Sequence, residues 1–335
     1  PFILGSLVFV TLWQGSTGRT CSIPEPAVDT AFIILGIHFG LSFTLDTFKT
    51  VGTYFIPFFF LTILLIFTSI LIGLWIAKKI PLDPVTSAFA CVPGGLTEMT
   101  LASKDLGGNA SYVAIFQTIR LITVIFLIPL VLTRIFPVVK QALAASVSET
   151  DPVFSLFYFL YFIPACCGFL MKKRVPAGII IGALGITALM NLTALPLPEI
   201  PSILTALAQI VFGAYLGRRI TFQELKKAGK YGIYYFFASL AIIAVSLFSG
   251  LVFGFFTSLN MQTALLTTAP GGLFEMVVTA VSINGDPAIV SSLQFIRIII
   301  IVTVVPSLLK WYFMKYSVLQ NNGGKMLIKS KDKRG

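Results

Sequence analysis

Two short motifs carry the residue types from which a ligand site can be built. They run from Pro93 to Glu98 and from Pro270 to Glu275, and each reads Pro-Gly-Gly with a glutamate three residues after the last glycine. A proline ends an incoming helix, and the glycines permit a tight turn with exposed backbone. The next half-helix then starts with unpaired N–H groups and a positive dipole end, which favour anions. The motifs predict reversible binding of a substrate or ion; a structural kink is the alternative.

A second pair of motifs, Gln117-x-x-Arg120 and Gln294-x-x-Arg297, follows the first pair in the chain. Residues three positions apart share a helix face. An intramembrane arginine is costly unless it is paired. We therefore expect Glu98–Arg120 and Glu275–Arg297 ion pairs, within one half of the chain or across the two halves. Each guanidinium then either receives an anionic substrate group such as a carboxylate or belongs to a purely structural pair.

The glutamates also allow two interpretations. They have a coupling role, in which they pair with a cation or exchange a proton, or they only interact with the dipole at the start of a helix. The candidate substrate- and ion-binding residues are Pro93, Gly94, Gly95, Glu98, Gln117, Arg120, Pro270, Gly271, Gly272, Glu275, Gln294 and Arg297.

These motifs recur because the chain contains two copies of one unit. Gly5 aligns with Gly182, an offset of 177 residues, and the same offset aligns both motif pairs without a gap. We assign 1–134 to the first repeat, 135–152 to a linker, 153–313 to the second repeat and 314–335 to a basic cytoplasmic tail. The span 153–171 has no counterpart before residue 1, so we expect the natural protein to have one more N-terminal helix and this chain to be a fragment.

The composition indicates helices that cross a membrane. Hydrophobic residues make up 56% of the 335 residues, charged residues only 11%, and the mean hydropathy is +0.94. A soluble domain carries about a quarter charged residues, so a soluble enzyme, a coiled coil and a disordered chain are excluded. The predicted spans are 1–16, 27–46, 54–77, a broken element 84–104 and 109–134, then 153–171, 176–192, 203–220, 231–255, a broken element 261–282 and 287–313.

The net charge of +11 is concentrated in short loops between spans, which is typical of cytoplasmic loops and argues against a nucleic-acid partner. The broken elements either cross the membrane or re-enter it. Re-entry places Lys78, Lys79 and Lys104 inside and delivers the lysine-rich tail to the cytoplasm. It also leaves an odd number of crossings per complete copy, so the copies would be inverted, as in secondary transporters. We therefore predict an all-α polytopic fold with two inverted repeats.

Enzymatic and metal-dependent functions are not expected. The chain has four cysteines and one histidine, with no metal or disulfide spacing. It also has no phosphate-binding loop of an ATP-driven pump. We predict no cofactor, no metal and no nucleic-acid partner.

The repeated Pro-Gly-Gly motif, each followed by Gln-x-x-Arg, resembles the duplicated AbrB membrane family of bacteria, also labelled as an ammonia monooxygenase. The resemblance covers nearly the whole chain. The monooxygenase label implies copper or iron, for which this chain has no ligand cluster. The regulator label implies an effect on gene expression, which would have to be indirect. In plan the repeat is also similar to carriers with glycine-rich re-entrant loops.

Together these features predict a bacterial inner-membrane secondary transporter of a small, anionic metabolite, coupled to H⁺ or Na⁺, with a cytoplasmic C-terminus. Its partners would be the substrate, the coupling ion and membrane lipid, and a homo-oligomer is left open. The alternative is a membrane-embedded ligand sensor that affects gene expression indirectly.

Overall fold

The computed structural model describes residues 2–19, 21–136, 156–172, 178–193, 197–218 and 222–331. Within these ranges it leaves out the side chains of Leu4, Phe48, Thr97, Glu98, Phe274 and residues 156–157, 222–227 and 314–331. Every regular element in the described part is helical. The linker 135–152 therefore lies almost wholly outside the described residues, as do the side chains of the basic tail.

In the described ranges, six helices precede the linker and seven follow it. The first six are α1 (Phe2–Thr17), α2 (Glu25–Gly40), α3 (Leu45–Ala77), α4 (Pro84–Cys91), α5 (Leu96–Asp105) and α6 (Ala110–Ile135). After a 3₁₀ turn, Leu156–Tyr161, come α7 (Phe162–Met171), α8 (Gly178–Leu192), α9 (Ser202–Arg218), α10 (Phe222–Phe256), α11 (Met261–Thr268), α12 (Leu273–Ser282) and α13 (Pro287–Lys331).

Four of these helices are long and apolar enough to cross a membrane: Leu45–Ala77, Ala110–Ile135, Ala228–Phe256 and Pro287–Phe313. The helix α3 begins nine residues before the predicted span because Thr44 and Thr47 form a capping box, each side chain accepting from the other's backbone N–H. Gly229 interrupts α10 with a φ of 53°, so the helix is kinked at this residue.

Each broken element folds into a hairpin of two short helices. The N–H of Asn109, after the end of α5, donates to Thr86 Oγ1 near the start of α4 over 2.6 Å. In the second half, the N–H of Asp286 donates to Thr263 Oγ1 over 2.9 Å. A straight element of this length would separate its ends by roughly 30 Å at 1.5 Å per residue. The two ends of each broken element therefore lie together at the base of the hairpin.

Two pairs of helices, α2 with α8 and α1 with α9, pack side by side between the two halves and run parallel. Gly40 on α2 lies so close to α8 that an added Cβ would be 2.6 Å from Thr187 Cβ, and Gly36 meets α8 one turn earlier. Gly217 on α9 contacts Leu7 on α1 in the same way. Gly36 and Gly40, like Gly213 and Gly217, have the Gly-x-x-x-Gly spacing that allows such close helix packing.

In contrast, α2 runs antiparallel to α9. The ring of Phe32, midway along α2, meets those of Phe212 and Tyr215 on α9. His38, near the end of α2, is close enough to Glu199, just before α9, for their charges to interact. The positions of α2 and α9 in the chain differ by the 177-residue offset, and these two helices run in opposite directions.

The long helices α3 and α10 also pack across halves, each behind the other half's hairpin. Tyr235 on α10 stacks on Phe116 of α6 with ring centroids 3.7 Å apart and donates to Ser87 Oγ on α4 over 2.9 Å. Its counterpart Phe58 packs against Ala264 and Leu293 of the second half. Each hairpin thus also contacts a long helix from the other half of the chain.

Candidate functional site

The Pro-Gly-Gly motifs form the tips of the two hairpins. The first helix of each hairpin ends at Cys91 or Thr268, and the second begins at Leu96 or Leu273. Their N-cap residues are Gly95 and Gly272, and neither helix start has a side-chain cap. The first-turn N–H groups at these tips are therefore available to a ligand or to a nearby side chain.

Gln117 and Arg120 fasten the first tip from helix α6. The Nε2 of Gln117 donates to the carbonyls of Phe89 (2.7 Å) and Val92 (2.9 Å). Arg120 donates from Nη1 to the Val92 carbonyl over 2.5 Å and from Nη2 to that of Gly94 over 3.1 Å. Since the last carbonyls of a helix have no intrahelical partner, these two side chains satisfy the groups that the break leaves free.

The second tip repeats this arrangement from helix α13. Gln294 Nε2 donates to the carbonyls of Leu266 (2.6 Å), Thr267 (3.2 Å) and Ala269 (3.2 Å). Arg297 donates from Nη1 to the Ala269 carbonyl and from Nη2 to that of Gly271 over 2.7 Å. Three of the acceptors, Leu266, Ala269 and Gly271, correspond to those of the first tip at the 177-residue offset.

The predicted Glu275–Arg297 ion pair is wrong. The ion pairs among the described side chains are Lys172–Asp29 and the exposed Lys49–Asp46. The guanidinium is directed to carbonyl oxygens instead, because these lie at the break itself and are fixed by it. Arg120 likewise holds carbonyls, while the side chain of Glu98, its predicted partner, lies outside the described residues.

Both arginines are buried, 8% and 3% exposed, and they are near enough to each other for their charges to repel. In each, Nε has no hydrogen-bond partner, and neither has the Oε1 of the neighbouring Gln117 or Gln294. Two buried positive charges that have no carboxylate partner among the described side chains attract negative charge.

Glu275 lies over the start of its own helix. Its side chain is 7% exposed, and its Oε2 has no hydrogen-bond partner. A Cβ added to Gly272 would overlap the carboxyl group, with Cδ only 2.7 Å away. Gly272 therefore has a role that the sequence did not indicate, since it leaves the room that the carboxyl occupies.

A small cavity of about 10 Å³ lies beside Arg297, where α3, α10 and α11 meet. The hydroxyl-bearing residues Thr62, Ser246, Ser249 and Thr268 line it. Its size suits about one water molecule. These hydroxyls are not among the predicted site residues, although the i, i+3 spacing of Ser246 and Ser249 within an apolar span is a signal visible in the sequence.

No group of three or more His, Cys, Asp or Glu side chains that could hold a metal ion occurs among the residues the structure describes. Among the described residues, the groups at the tips that could bind a ligand are therefore backbone N–H groups, guanidinium groups, amides and the Glu275 carboxyl.

A family model described as "Transition state regulatory protein AbrB" matches residues 2–313. The chain belongs to the AbrB family. The chain is 24% identical over 295 residues to "Uncharacterized protein YhjN" of Bacillus subtilis, covering 82% of this chain and 75% of that protein. It is 24% identical over 299 residues to "Putative regulator AbrB" of Escherichia coli, covering 88% of this chain and 85% of that one. No solved structure matches the chain.

Proposed function

We propose that this AbrB-family chain is an inner-membrane secondary transporter of a small anionic metabolite, coupled to H⁺ or Na⁺. The observation that carries the proposal is the buried residues Arg120 and Arg297, one at each hairpin tip, both without an acidic partner among the described side chains. A membrane-enclosed site of this charge is costly to maintain unless an anion binds in it.

The substrate's anionic group meets the tips through their backbone N–H groups. Gly95 is exposed, and Gly271 and Gly272 are partly exposed, whereas both guanidinium groups are buried and hold carbonyls. The arginines therefore fix the tips and supply positive potential. Half-helix N-termini that point at anionic groups are the device expected of transporters with discontinuous helices.

The architecture of two inverted repeats with re-entrant hairpins belongs to this proposal. It is supported by the opposite directions of α2 and α9 and by the joined ends of each hairpin. An inverted pair of repeats gives two equivalent sets of contacts, so that one half can open while the other closes, which is the requirement for alternating access.

Contacts between the halves support an assignment of sides. Lys172 pairs with Asp29 near the start of α2, and Gln14, near the end of α1, donates to the carbonyl of Gly217 near the end of α9. Lys172 and Arg218 therefore lie at the same end of the molecule, which we assign to the cytoplasm by the positive-inside rule. The chain then leaves the membrane on that side after α13.

Labelling of single cysteines tests this topology. Lys104 and Asn284 are exposed at the bases of the two hairpins. A membrane-impermeant thiol reagent should label Lys104→Cys from the cytoplasm and Asn284→Cys from outside. Labelling of both from the same side refutes the inverted arrangement.

The transport test starts from a thermal-shift screen of metabolites, followed by uptake of any ligand into proteoliposomes under imposed H⁺ or Na⁺ gradients. Gradient-driven uptake, lost in Arg297→Gln and reduced in Arg297→Lys, is the expected result, because lysine keeps the charge but cannot hold both carbonyls. Arg218→Gln, at the end of α9, serves as the control and should transport normally. Binding without uptake under either gradient would sink the carrier proposal.

That last outcome would favour a second function, a membrane-embedded sensor. The description of the family model and the name of the E. coli relative both contain a regulatory term. With a sensor, the same tips bind the ligand, and the effect on gene expression passes through another protein, since the tip site carries no DNA-binding element.

A further inference from the structure

The Glu275 carboxyl already occupies the kind of place where a bound anion would lie. It is the third residue of α12, whose start has no side-chain cap, and it folds back over the N-cap residue Gly272. The partial positive charge of a helix start favours a carboxylate there. At 7% exposure it is shielded from water, and its Oε2 has no hydrogen-bond partner.

No cation in the described part neutralises this carboxyl. The elements packed against α12 are α6, α11 and α13. They present Arg120 from α6 and Arg297 from α13, and both direct their guanidinium groups to carbonyl oxygens of the tips. The sequence of α11 contains no titratable residue, and α12 contains none besides Glu275. The carboxyl thus lies against Gly272 at the helix start and forms no ion pair with a described cation.

We propose that the Glu275 carboxylate is a built-in anion at the start of α12, and that a substrate's anionic group binds there only after Glu275 has taken up a proton and moved away. The inference rests on the proposed function, since it concerns the same site. Proton uptake converts the carboxylate to a neutral carboxylic acid, no other bond is made or broken, and the substrate's negative charge replaces the one that was neutralised. One proton is therefore bound for each anionic group.

Gly272 makes this exchange possible. Its backbone lies at φ −73° and ψ 151°, a conformation that alanine adopts without strain. The added methyl of Gly272→Ala would, however, overlap the carboxyl group of Glu275. This substitution should expel the carboxyl from the helix start while leaving its charge and the tip's backbone intact.

The two variants Glu275→Gln and Gly272→Ala test the exchange by independent routes. Binding of sulfate, and of acetate, lactate and succinate, to the purified full chain is measured by thermal shift across a pH range in which each probe stays ionised. In the unmodified chain, affinity should fall by about tenfold per pH unit once Glu275 loses its proton, as linkage of one proton requires. In Glu275→Gln the affinity should be independent of pH, and in Gly272→Ala the loss at high pH should be smaller.

Glu199→Gln, which removes an acid before α9, is the matched control and should keep the pH profile of the unmodified chain. The inference is overturned if Glu275→Gln retains that profile, or if the unmodified chain binds a probe equally at all pH values; anion binding at the tips then still stands. If no probe binds to any of the variants at any pH, the anion site and the inference fail together. Gly272→Ala keeps the glutamate and so provides a separate test if Glu275→Gln does not fold. A loss of affinity at high pH as large as in the unmodified chain then overturns the inference.

Discussion

Replacing Gln294 by methionine tests whether the amide holds the hairpin tip. The side chain is fully buried, and its Nε2 donates to the carbonyls of Leu266, Thr267 and Ala269. Methionine has a similar length and fills the same space, so the substitution removes the hydrogen bonds with little change in packing.

The expected loss follows from these contacts. Hydrogen bonds inside membrane proteins contribute about 0.6 kcal/mol each on average, so three give about 2 kcal/mol. The Ala269 carbonyl keeps Arg297 and the Gly271 N–H as donors. The carbonyls of Leu266 and Thr267 lose this donor, and a buried polar group left unpaired costs about 1–3 kcal/mol. Two such carbonyls give about 2–6 kcal/mol, whose lower end matches the sum for the hydrogen bonds, and we expect a decrease in this range in the free energy of unfolding.

The assay is reversible unfolding in mixed micelles of SDS and a mild detergent, followed by circular dichroism. Gln117→Met, the equivalent change at the first tip, should cost a similar amount. Gln209→Met, at a partly exposed position of α9, should change stability by less than about 0.5 kcal/mol. If the two tip variants are as stable as the control, the amides do not hold the tips and our account of the break is incorrect.

Three further substitutions address the contacts between halves. Gly40→Ala should weaken α2–α8 packing and lower thermal stability, because the new Cβ would be 2.6 Å from a side chain of α8, whereas Gly185→Ala, with nothing within 4 Å, should not. The hydrogen bond from Lys172 to Asp29 raises the pKa of that lysine. Its contribution should be present at neutral pH and lost as the pH rises through the raised value, so Asp29→Asn should match the unmodified chain only at strongly alkaline pH in melting experiments. Tyr235→Phe should cost about 1 kcal/mol in SDS unfolding, since it removes one buried hydrogen bond; an unchanged midpoint contradicts this.

Several element boundaries followed from the sequence because they depend on local chemistry. The breaks between Cys91 and Leu96 and between Thr268 and Leu273 lie where proline and glycine prevent a continuous helix. The start of α6 at Ala110 is one residue from the predicted boundary. The early start of α3 was missed because its first turns are polar, and a capping box rather than hydrophobicity determines where that helix begins.

The partners of the site residues could not be predicted in the same way. The i, i+3 spacing of Gln294 and Arg297 places both on one helix face, and both do reach the tip. Their acceptors are backbone carbonyls, which every residue has and no sequence pattern distinguishes. The position of Glu275 over Gly272 depends on how the half-helix starts in three dimensions. Sequence spacing therefore identified the donors correctly and the acceptors incorrectly.

The packing of helices from one half against helices from the other also has a consequence for how the protein is synthesised. The glycines of α9 that fit against α1 are translated about 200 residues later than α1. This is a delay of roughly 10–40 s at about 5–20 residues per second. During that interval the face of α1 that contacts Gly217 is not yet covered by α9. Slower synthesis of the segment between Ile135 and Ser202 should therefore lengthen the exposure of this intermediate to proteases and lower the yield of the protein.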